Sequence, residues 1–366
     1  MAGMVCIPAQ QNGVRFLSQA WRTGERRARR DDAPRRRALG RIAALLFLLL
    51  PAFAEALEVR GNSFVENGQK VILRGIAMGD VTDLPSDVDP YPDIKNEWHA
   101  NVVRLSIHPG AWRDNKDKAL STLRQHVDQA RAAGLYVIID YHVIGFPDGY
   151  ALEYFDVTEP DTRTTYYDSR FTLAMDFWMT VALHYQDPGI LFELWNEPSS
   201  NTEEEEGGDL AYWKQYRPYW RVLTDAIRAS GSSNVVLVAP PLWAFNLKGL
   251  RESLLPDENT GYVWHVYPGH YPEEWSDTLD DLDKEKPVIV TEWGFEPDAK
   301  QHWSGTAGDY GTPFADFMDA RELSSTAWCW NPDYGPSLRR KNGKLTVWGQ
   351  FAKDYLAKHA TQEAAN

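Results

Sequence analysis

Two glutamates, each following an apolar run, carry the clearest chemical signal in this sequence. Ile190–Trp195 leads to Glu197, and Pro287–Thr291 leads to Glu292. A carboxylate after four or five apolar residues is typical of the carboxyl end of a buried parallel strand. Because such ends meet at one face of a sheet or barrel, two acids 95 residues apart in sequence can share one cleft. Two carboxylates in one cleft are the minimum equipment for glycoside hydrolysis.

Apolar strand-like runs alternate with longer helix-like stretches from Leu57 onward. The clearest helix covers Ala119–Ala133, where apolar residues recur every three or four positions until Gly134. Other helical patterns cover 164–186, 210–229, 272–283, 313–322 and 347–358. The runs that predict strands cover 71–75, 102–106, 136–140, 190–195, 235–238, 262–265, 287–291 and 325–328. Eight strands with helices between them predict an α/β fold, a single (β/α)8 TIM barrel over residues 57–366.

A short N-terminal β-hairpin is expected before the barrel. Glycine and asparagine occupy positions 61 and 62 between two β-prone runs, and Asn67-Gly68 marks a second turn. A doubly wound open sheet is the alternative fold, but it requires a glycine-rich phosphate turn after its first strand. No such turn follows residue 75, and no Ser/Pro-rich linker, repeat or accessory module appears in the sequence. We therefore expect one catalytic domain.

The first 56 residues differ in composition from the rest of the chain. They contain ten arginines, followed by a 13-residue apolar stretch, Ile42–Ala54, that ends in Ala52-Phe53-Ala54. A basic region, a short apolar core and an Ala-x-Ala site are typical of a secretory signal peptide. We expect cleavage near Ala54 or Ala56 and a secreted or periplasmic protein without stable membrane insertion. An uncleaved anchor is the alternative, although the stretch is short for a membrane span.

Charge and cysteine content exclude several classes of function. The chain has 38 basic and 52 acidic residues, and removal of the leader leaves 28 and 48, a net charge of −20. A protein this acidic is a poor partner for nucleic acid or an anionic membrane surface, and a neutral polymer is compatible with it. Cys329 is the only cysteine after the leader, so the mature chain cannot form an internal disulfide, and no Cys/His cluster has zinc spacing.

The predicted strand ends supply acids, amides, imidazoles, a phenol and indoles. Barrel enzymes carry their catalytic groups at the carboxyl ends of their strands, so these residues are candidates for one site. In chain order they are Arg74, Arg104, Asp140, His142, Asn196, Glu197, His265, Tyr267, Glu292, Trp328 and Trp330. The acidic run Glu203–Glu206 predicts a solvated loop, with a calcium site as the alternative.

The motifs around the two glutamates resemble glycoside hydrolase family 5, in the clan of retaining (β/α)8 glycosidases. Asn-Glu-Pro ends at Pro198 after the fourth strand, and Thr-Glu-Trp-Gly ends at Gly294 after the seventh. The resemblance extends from Leu57 to about His359. Further positions of the family have candidates at Arg104, His142, His265, Tyr267 and an aromatic residue after the eighth strand, Trp328 or Trp330.

The resemblance implies a role for each candidate. Glu292 would attack the anomeric carbon, while Glu197 would protonate the leaving oxygen and later deprotonate water. Arg104 and Tyr267 would keep Glu292 ionised and oriented, and Asn196 would bond the sugar 2-hydroxyl. The other positions, His142, His265, Trp328 and Trp330, would contact substrate or orient the carboxylates. No cofactor and no metal are implied.

The resemblance also implies cleavage of a β-linked polysaccharide, with an endo-β-1,4-glucanase (cellulase) as the first expectation. A β-mannanase or another β-glycosidase of the family is an alternative, and a barrel that only binds polysaccharide is an alternative of another class. We expect a monomer. Aromatic rings stack on pyranose faces, and we expect three or more of the following loop residues to line an extended cleft: Trp112, Tyr150, Tyr154, Trp243, Tyr271, Trp275, Trp303 and Tyr334.

Overall fold

The computed structural model describes residues 56–147, 167–199 and 208–363, which belong to one compact unit. The predicted leader, Tyr150, Tyr154 and the acidic run Glu203–Glu206 lie outside these residues, so the statements about them stay predictions. In the described part of the chain, no helix is both long enough and apolar enough to cross a membrane.

Eight parallel strands close into a barrel, which confirms the predicted (β/α)8 fold. The order around the barrel follows the chain, and the last strand pairs with the first through Ser325 and Arg74. All eight strands are buried, except for the half-buried Tyr136 at the start of one of them, as expected for parallel strands covered by helices. The strands are β4 (Arg74–Asp80), β5 (Val102–Ile107), β6 (Tyr136–Tyr141), β7 (Ile190–Glu193), β8 (Val236–Val238), β9 (Thr260–Val266), β10 (Val288–Trp293) and β11 (Ser324–Ala327).

The N-terminal hairpin has a third strand and forms a small antiparallel sheet. Its strands are β1 (Glu58–Arg60), β2 (Ser63–Glu66) and β3 (Gln69–Val71). Both predicted turns are present, because Gly61 and Gly68 adopt the positive φ that such turns require. Phe64 of β2 lies against the barrel at Gly261, where an added Cβ would be 3.2 Å from the phenyl ring. The sheet therefore closes the amino-terminal end of the barrel.

The first barrel strand lies further along the chain than the apolar run at 71–75 predicts. Val71 ends β3, and the barrel strand begins at Arg74 and ends at Asp80. Gly75 allows β4 and β5 to approach closely, since a Cβ there would lie 1.7 Å from the Val102 carbonyl oxygen. Arg74 thus lies at the amino-terminal end of its strand, and its placement among the active-face candidates is wrong.

Helices surround the barrel and bury their apolar faces against the strands. The predicted helix at 119–133 is observed as α3, which Asn115 caps by accepting a hydrogen bond from the Lys118 N–H. The helices are α1 (Tyr91–Asn96), α2 (Pro109–Asp114), α3 (Lys116–Ala132), α4 (Phe171–His184), α5 (Gly208–Ala229), α6 (Pro272–Leu279), α7 (Thr312–Ala320) and α8 (Val347–Glu363). Short 3-10 turns lie at Val81–Asp83, Leu250–Ser253 and Leu282–Lys284, and a π turn at Ala307–Gly311.

Candidate active site

A buried arginine lies at the centre of the polar groups on the carboxyl-terminal face of the barrel. The Arg104 guanidinium donates two hydrogen bonds of 2.8 Å to the Glu193 carboxylate and one of 2.8 Å to Glu292. It also donates to Asn196 Oδ1 at 2.7 Å and lies 3.1 Å from Asp140 Oδ2. Burial alone would lower the pKa of Arg104, but its three carboxylate neighbours raise it well above its usual value. The guanidinium therefore stays charged and fixes the positions of the surrounding groups.

Glu193 is the principal partner of Arg104, and its role was not predicted from the sequence. Burial would raise the pKa of Glu193, but the Arg104 guanidinium and hydrogen bonds from neighbouring groups lower it to about 2. The sequence does contain a signal for it. Glu193 lies within the apolar run Ile190–Trp195 and ends β7, two residues after Leu191, so its side chain points to the same side as that of Leu191. A charge pointing into a barrel requires a partner of opposite charge.

Glu292 is buried and held from two sides. Arg104 Nη1 donates to Oε1 and the Tyr267 hydroxyl donates to Oε2, each at 2.8 Å. Burial and the nearby carboxylates raise the pKa of Tyr267 well above its usual value, so the phenol keeps the hydrogen that it donates. The pairing of β9 with β10 shifts register between Val290 and Glu292. Such an irregularity changes the direction in which a side chain points. Here it lies next to Glu292, whose carboxylate faces the cavity.

Glu197 follows β7 and is the more exposed of the two predicted acids, with 16% of its side chain accessible. Backbone hydrogen bonds from Glu197 N to Val143 O and from Gly145 N to Glu197 O tie its loop to the one after β6. Its Oε1 lies 3.1 Å from His265 Nδ1, whereas Oε2 has no hydrogen-bond partner among the described residues. One oxygen is held in place, and the other is available to a substrate or a proton.

Glu197, Glu292 and His265 form a close cluster. One carboxylate oxygen of each glutamate and one ring nitrogen of His265 all lie within 4.8 Å of one another. Burial lowers the pKa of His265, but the charge of Glu292 and hydrogen bonds with Glu193 and Glu197 raise it to about 9. The geometry agrees with a protonated ring, because Nε2 lies 3.0 Å from the Thr291 hydroxyl, which donates its own hydrogen to Glu193.

The same three groups could chelate a cation, but a metal would have to displace the proton that His265 holds at neutral pH. Two carboxylates at this separation, one tightly held and one partly exposed, are instead suited to covalent attack and proton transfer on a sugar.

His142 forms one wall of the site. Its Nδ1 lies 2.7 Å from Asp140 Oδ2, and its ring stacks on Trp328 with the centroids 5.2 Å apart. Burial lowers the pKa of His142 to about 3, so the ring is neutral. A second imidazole, His108, packs edge-on against His142 and bonds Asp80 at the end of β4. Neither residue was assigned to the site from the sequence: the predicted first strand ended before Asp80, and a histidine after the second strand is often a core residue.

A cavity of about 600 Å³ opens above these groups, and aromatic rings form much of its wall. Trp243, Trp303 and Tyr334 line it, which meets the expectation of three loop aromatics at a cleft. Trp243 enters from a turn in which three consecutive residues, Leu242 to Ala244, have φ between 54° and 59°. Non-glycine residues rarely adopt this conformation, and such strain is concentrated at functional sites.

Other predicted aromatic residues have different positions. Trp112 and Trp275 are buried in the core, and Tyr271 is exposed. Trp330 does not line the large cavity, so its inclusion with Trp328 in the site is wrong. It packs edge-on against Trp98 and under the Arg339 guanidinium. The cavity also contains His270 and His302, which the sequence analysis did not identify.

Comparisons with known proteins agree with this geometry. The family model described as Cellulase (glycosyl hydrolase family 5) matches residues 65–334. Endoglucanase C of Evansella cellulosilytica is 29% identical over 292 residues, 72% of this chain and 34% of that protein. Endoglucanase 5 of Pectobacterium carotovorum subsp. carotovorum is 26% identical over 322 residues, 82% of this chain and 57% of that protein. The chain thus spans about a third to three fifths of the length of these two curated relatives.

Solved structures share the fold. A crystal structure of a β-glucanase from Saccharophagus degradans in complex with cellotetraose superposes with a TM-score of 0.73 at 25% identity. The match covers 84% of this chain and 94% of that one. The catalytic domain of an endoglucanase from Thermobifida fusca, also in complex with cellotetraose, gives a TM-score of 0.66 at 19% identity, with 82% and 96% of the two chains covered.

Proposed function

The chain belongs to glycosyl hydrolase family 5, and on that premise we propose that it cleaves β-1,4-glucans internally by a retaining double displacement. The observation that carries the proposal is the distance between the two carboxylates, whose oxygens approach within 4.8 Å. Retaining glycosidases hold their carboxyl groups about 5–5.5 Å apart, whereas inverting enzymes need about 6.5–9.5 Å to admit a water molecule. The relatives named endoglucanases support β-1,4-glucan as the substrate.

Glu292 is the nucleophile in this proposal. Arg104 and Tyr267 each donate a hydrogen bond to one of its oxygens, so the carboxylate is held in one orientation. An ionised carboxylate needs no general base to act as a nucleophile. Its attack on the anomeric carbon forms a glycosyl-enzyme ester and breaks the glycosidic bond. Ester formation removes the negative charge of Glu292 beside Arg104. The Glu193 carboxylate remains bonded to the Arg104 guanidinium as its counter-ion in both steps.

Glu197 is the acid and then the base. In the first step its protonated carboxyl group gives a proton to the departing glycosidic oxygen. In the second step the resulting carboxylate takes a proton from the water that hydrolyses the ester, which restores both glutamates. His265 bonds Oε1 and orients the group, and the unpartnered Oε2 is suited to carry the transferred proton.

Asn196 and the aromatic walls are proposed to bind the sugar. The Asn196 side-chain oxygen accepts a hydrogen bond from Arg104, so its amide hydrogens remain for a substrate hydroxyl. A bond to the 2-hydroxyl that strengthens in the transition state is worth several kcal/mol in this chemistry. Trp328, Trp243 and Trp303 offer apolar faces against which pyranose rings can stack.

The test is reducing-sugar release from carboxymethyl cellulose, soluble β-glucan, mannan, xyloglucan and laminarin, with Glu292→Gln as the blank. We expect turnover of a β-1,4-glucan with a rapid fall in viscosity, the sign of internal cleavage. The Glu292→Gln variant should fold normally and lose about 10³-fold or more in kcat, because an amide cannot act as the nucleophile. Residual activity within tenfold of the unmodified protein would refute the role of Glu292.

A second arm tests the acid. Glu197→Ala should retain formation of the glycosyl-enzyme from an aryl cellobioside with a very good leaving group, which needs no protonation. The same variant should lose activity on the natural polymer. Equal losses on both substrates would contradict the assignment of Glu197, and an inverted anomeric product from the unmodified protein would exclude the double displacement.

A further inference from the structure

A second cavity, of about 250 Å³, lies beside the candidate active site. The two cavities share the segment Trp330–Gly335, which follows β11. Trp330 and Pro332 line the second cavity, whereas Asp333, Tyr334 and Gly335 line the large one. The second cavity has the volume of about eight water molecules at ~30 Å³ each, which is enough for one sugar-sized group.

Three consecutive basic residues lie on the rim of this second cavity. Lys341 forms an ion pair with Asp333, so its charge is already matched. The Arg339 guanidinium lies over the Trp330 ring, 4.3 Å from the ring centroid. Across residues 56–147, 167–199 and 208–363, neither Arg339 nor Arg340 has a carboxylate partner. The two guanidinium groups at this cavity are therefore available to an anion.

The rest of the wall combines apolar side chains with one imidazole. Leu84, Val88 and Pro332 offer apolar contacts. His126 is 1% exposed, and its Nδ1 lies 2.7 Å from the Tyr91 hydroxyl. Its Nε2 has no hydrogen-bond partner in the described part of the chain. Nε2 is itself buried, so His126 contributes to the cavity wall through the surface of its ring.

We propose that this second cavity binds a carboxylate-bearing sugar, such as a uronate unit of an acidic glycan. The two guanidinium groups match a carboxylate in charge and can bond it bidentately. The apolar wall matches the C–H face of a pyranose ring. A small inorganic anion would use only the guanidinium groups. The proposal goes beyond the hydrolytic function and does not depend on it.

The experiment titrates the full chain with D-glucuronate, D-glucose and inorganic phosphate by calorimetry at about 0.15 M salt. We expect glucuronate to bind with a millimolar Kd, and glucose and phosphate to bind at least tenfold more weakly. Arg340→Ala should weaken glucuronate binding at least tenfold, and Arg340 is exposed, so its removal leaves the core intact. Arg221→Ala is the matched control, because it removes an exposed arginine of α5 that lies outside the cavity lining.

Four results of these titrations would overturn the proposal, and a competition experiment provides a fifth. They are the absence of glucuronate binding, an affinity unchanged by Arg340→Ala, an equal loss in Arg221→Ala, and phosphate binding as tight as that of glucuronate. Cellotetraose should not displace glucuronate, since the two sugars occupy different cavities. Displacement would assign the binding to the large cavity and would likewise refute the second site.

Discussion

Two layers of side chains inside the barrel, two residues apart on the same strands, have opposite chemistry. The lower layer is apolar, with Val102, Ile138, Leu191, Val263 and Ile289 in one buried cluster. Two residues further along the same five strands lie the members of the upper layer, Arg104, Asp140, Glu193, His265 and Thr291. Because side chains on a strand alternate between its faces, both layers point into the barrel.

The difference between the layers separates stability from function. The apolar layer and the N-terminal sheet close one end of the barrel. Burial of their apolar surface away from water stabilises the folded protein. The upper layer buries four ionisable groups, and each is tolerated only because its neighbours neutralise it. A change in the lower layer should therefore affect folding alone, whereas a change in the upper layer should affect folding and turnover together.

The largest effect is expected from Arg104→Met. Loss of the guanidinium leaves Glu193 and Glu292 without their cation in a buried site, which typically destabilises a protein by about 3–5 kcal/mol. Turnover should fall with stability, because Glu292 loses the group that orients it. Urea unfolding and kcat measure the two losses. Arg104→Lys keeps the charge but not the planar set of N–H donors. Its stability and its kcat should lie between those of the unmodified protein and those of Arg104→Met.

If Arg104→Met were as stable as the unmodified protein, the charges of the upper layer would not depend on one another. If it were unstable but fully active, the assignment of Arg104 to the site would be wrong.

The next effect is expected from Phe64→Ala in the closure of the lower layer. Phe64 is 2% exposed and packs into the apolar cluster, so truncation should cost about 3–5 kcal/mol of unfolding free energy. At a temperature where the variant is folded, kcat/KM should stay within twofold of the unmodified protein. A tenfold loss of kcat/KM in the folded variant would show that the two layers are coupled and would contradict the comparison.

The lower layer and the fold follow from the sequence more completely than the upper layer does. Apolar runs, glycine turns and helical spacing are local signals, and they predict seven of the eight barrel strands within a few residues. The first strand was placed too early because Val71–Leu73 is the more apolar segment. The true strand contains Gly75 and Gly79 and ends in Asp80.

The upper layer depends on contacts between distant residues, which a single sequence does not display. The two glutamates and Arg104 were identified from their motifs. The pairing of Arg104 with Glu193 spans 89 residues of sequence and was not predicted. Trp328 and Trp330 have the same spacing as an inward-facing pair, yet they line different cavities, since the chain leaves β11 after Ala327 and no longer alternates as a strand does.

A smaller effect should appear as a pH dependence of stability. The pKa of His265 is raised from about 6.5 to about 9 in the folded protein, because Glu292, Glu193 and Glu197 outweigh the effect of burial. Protonated His265 therefore stabilises the folded protein. This stabilisation is fully present below pH 6.5 and is lost as the pH rises through 9. The loss amounts to roughly 3 kcal/mol, at 1.36 kcal/mol for each pKa unit.

Urea unfolding at several pH values between 6 and 10 measures this loss. Phe64→Ala is the matched control, since it lowers stability in the apolar layer and should retain the same pH slope. His265→Gln should remove most of the slope. A slope that persists in His265→Gln would assign the pH dependence to other groups.

The smallest effect is expected from Thr291→Val, at the one named member of the upper layer that is not ionisable. The Thr291 hydroxyl donates to Glu193 at 3.2 Å and lies 3.0 Å from His265 Nε2, while the side chain follows Ile289 on the same face of β10. Valine keeps the shape but removes both hydrogen bonds, so we expect a loss of about 1–2 kcal/mol and a fall of kcat by less than tenfold. The pKa of His265 should also fall, since its buried Nε2 loses an acceptor, and NMR titration of the ring measures it. An unchanged His265 titration would show that Thr291 does not belong to the network of charged groups and would place it with the apolar layer.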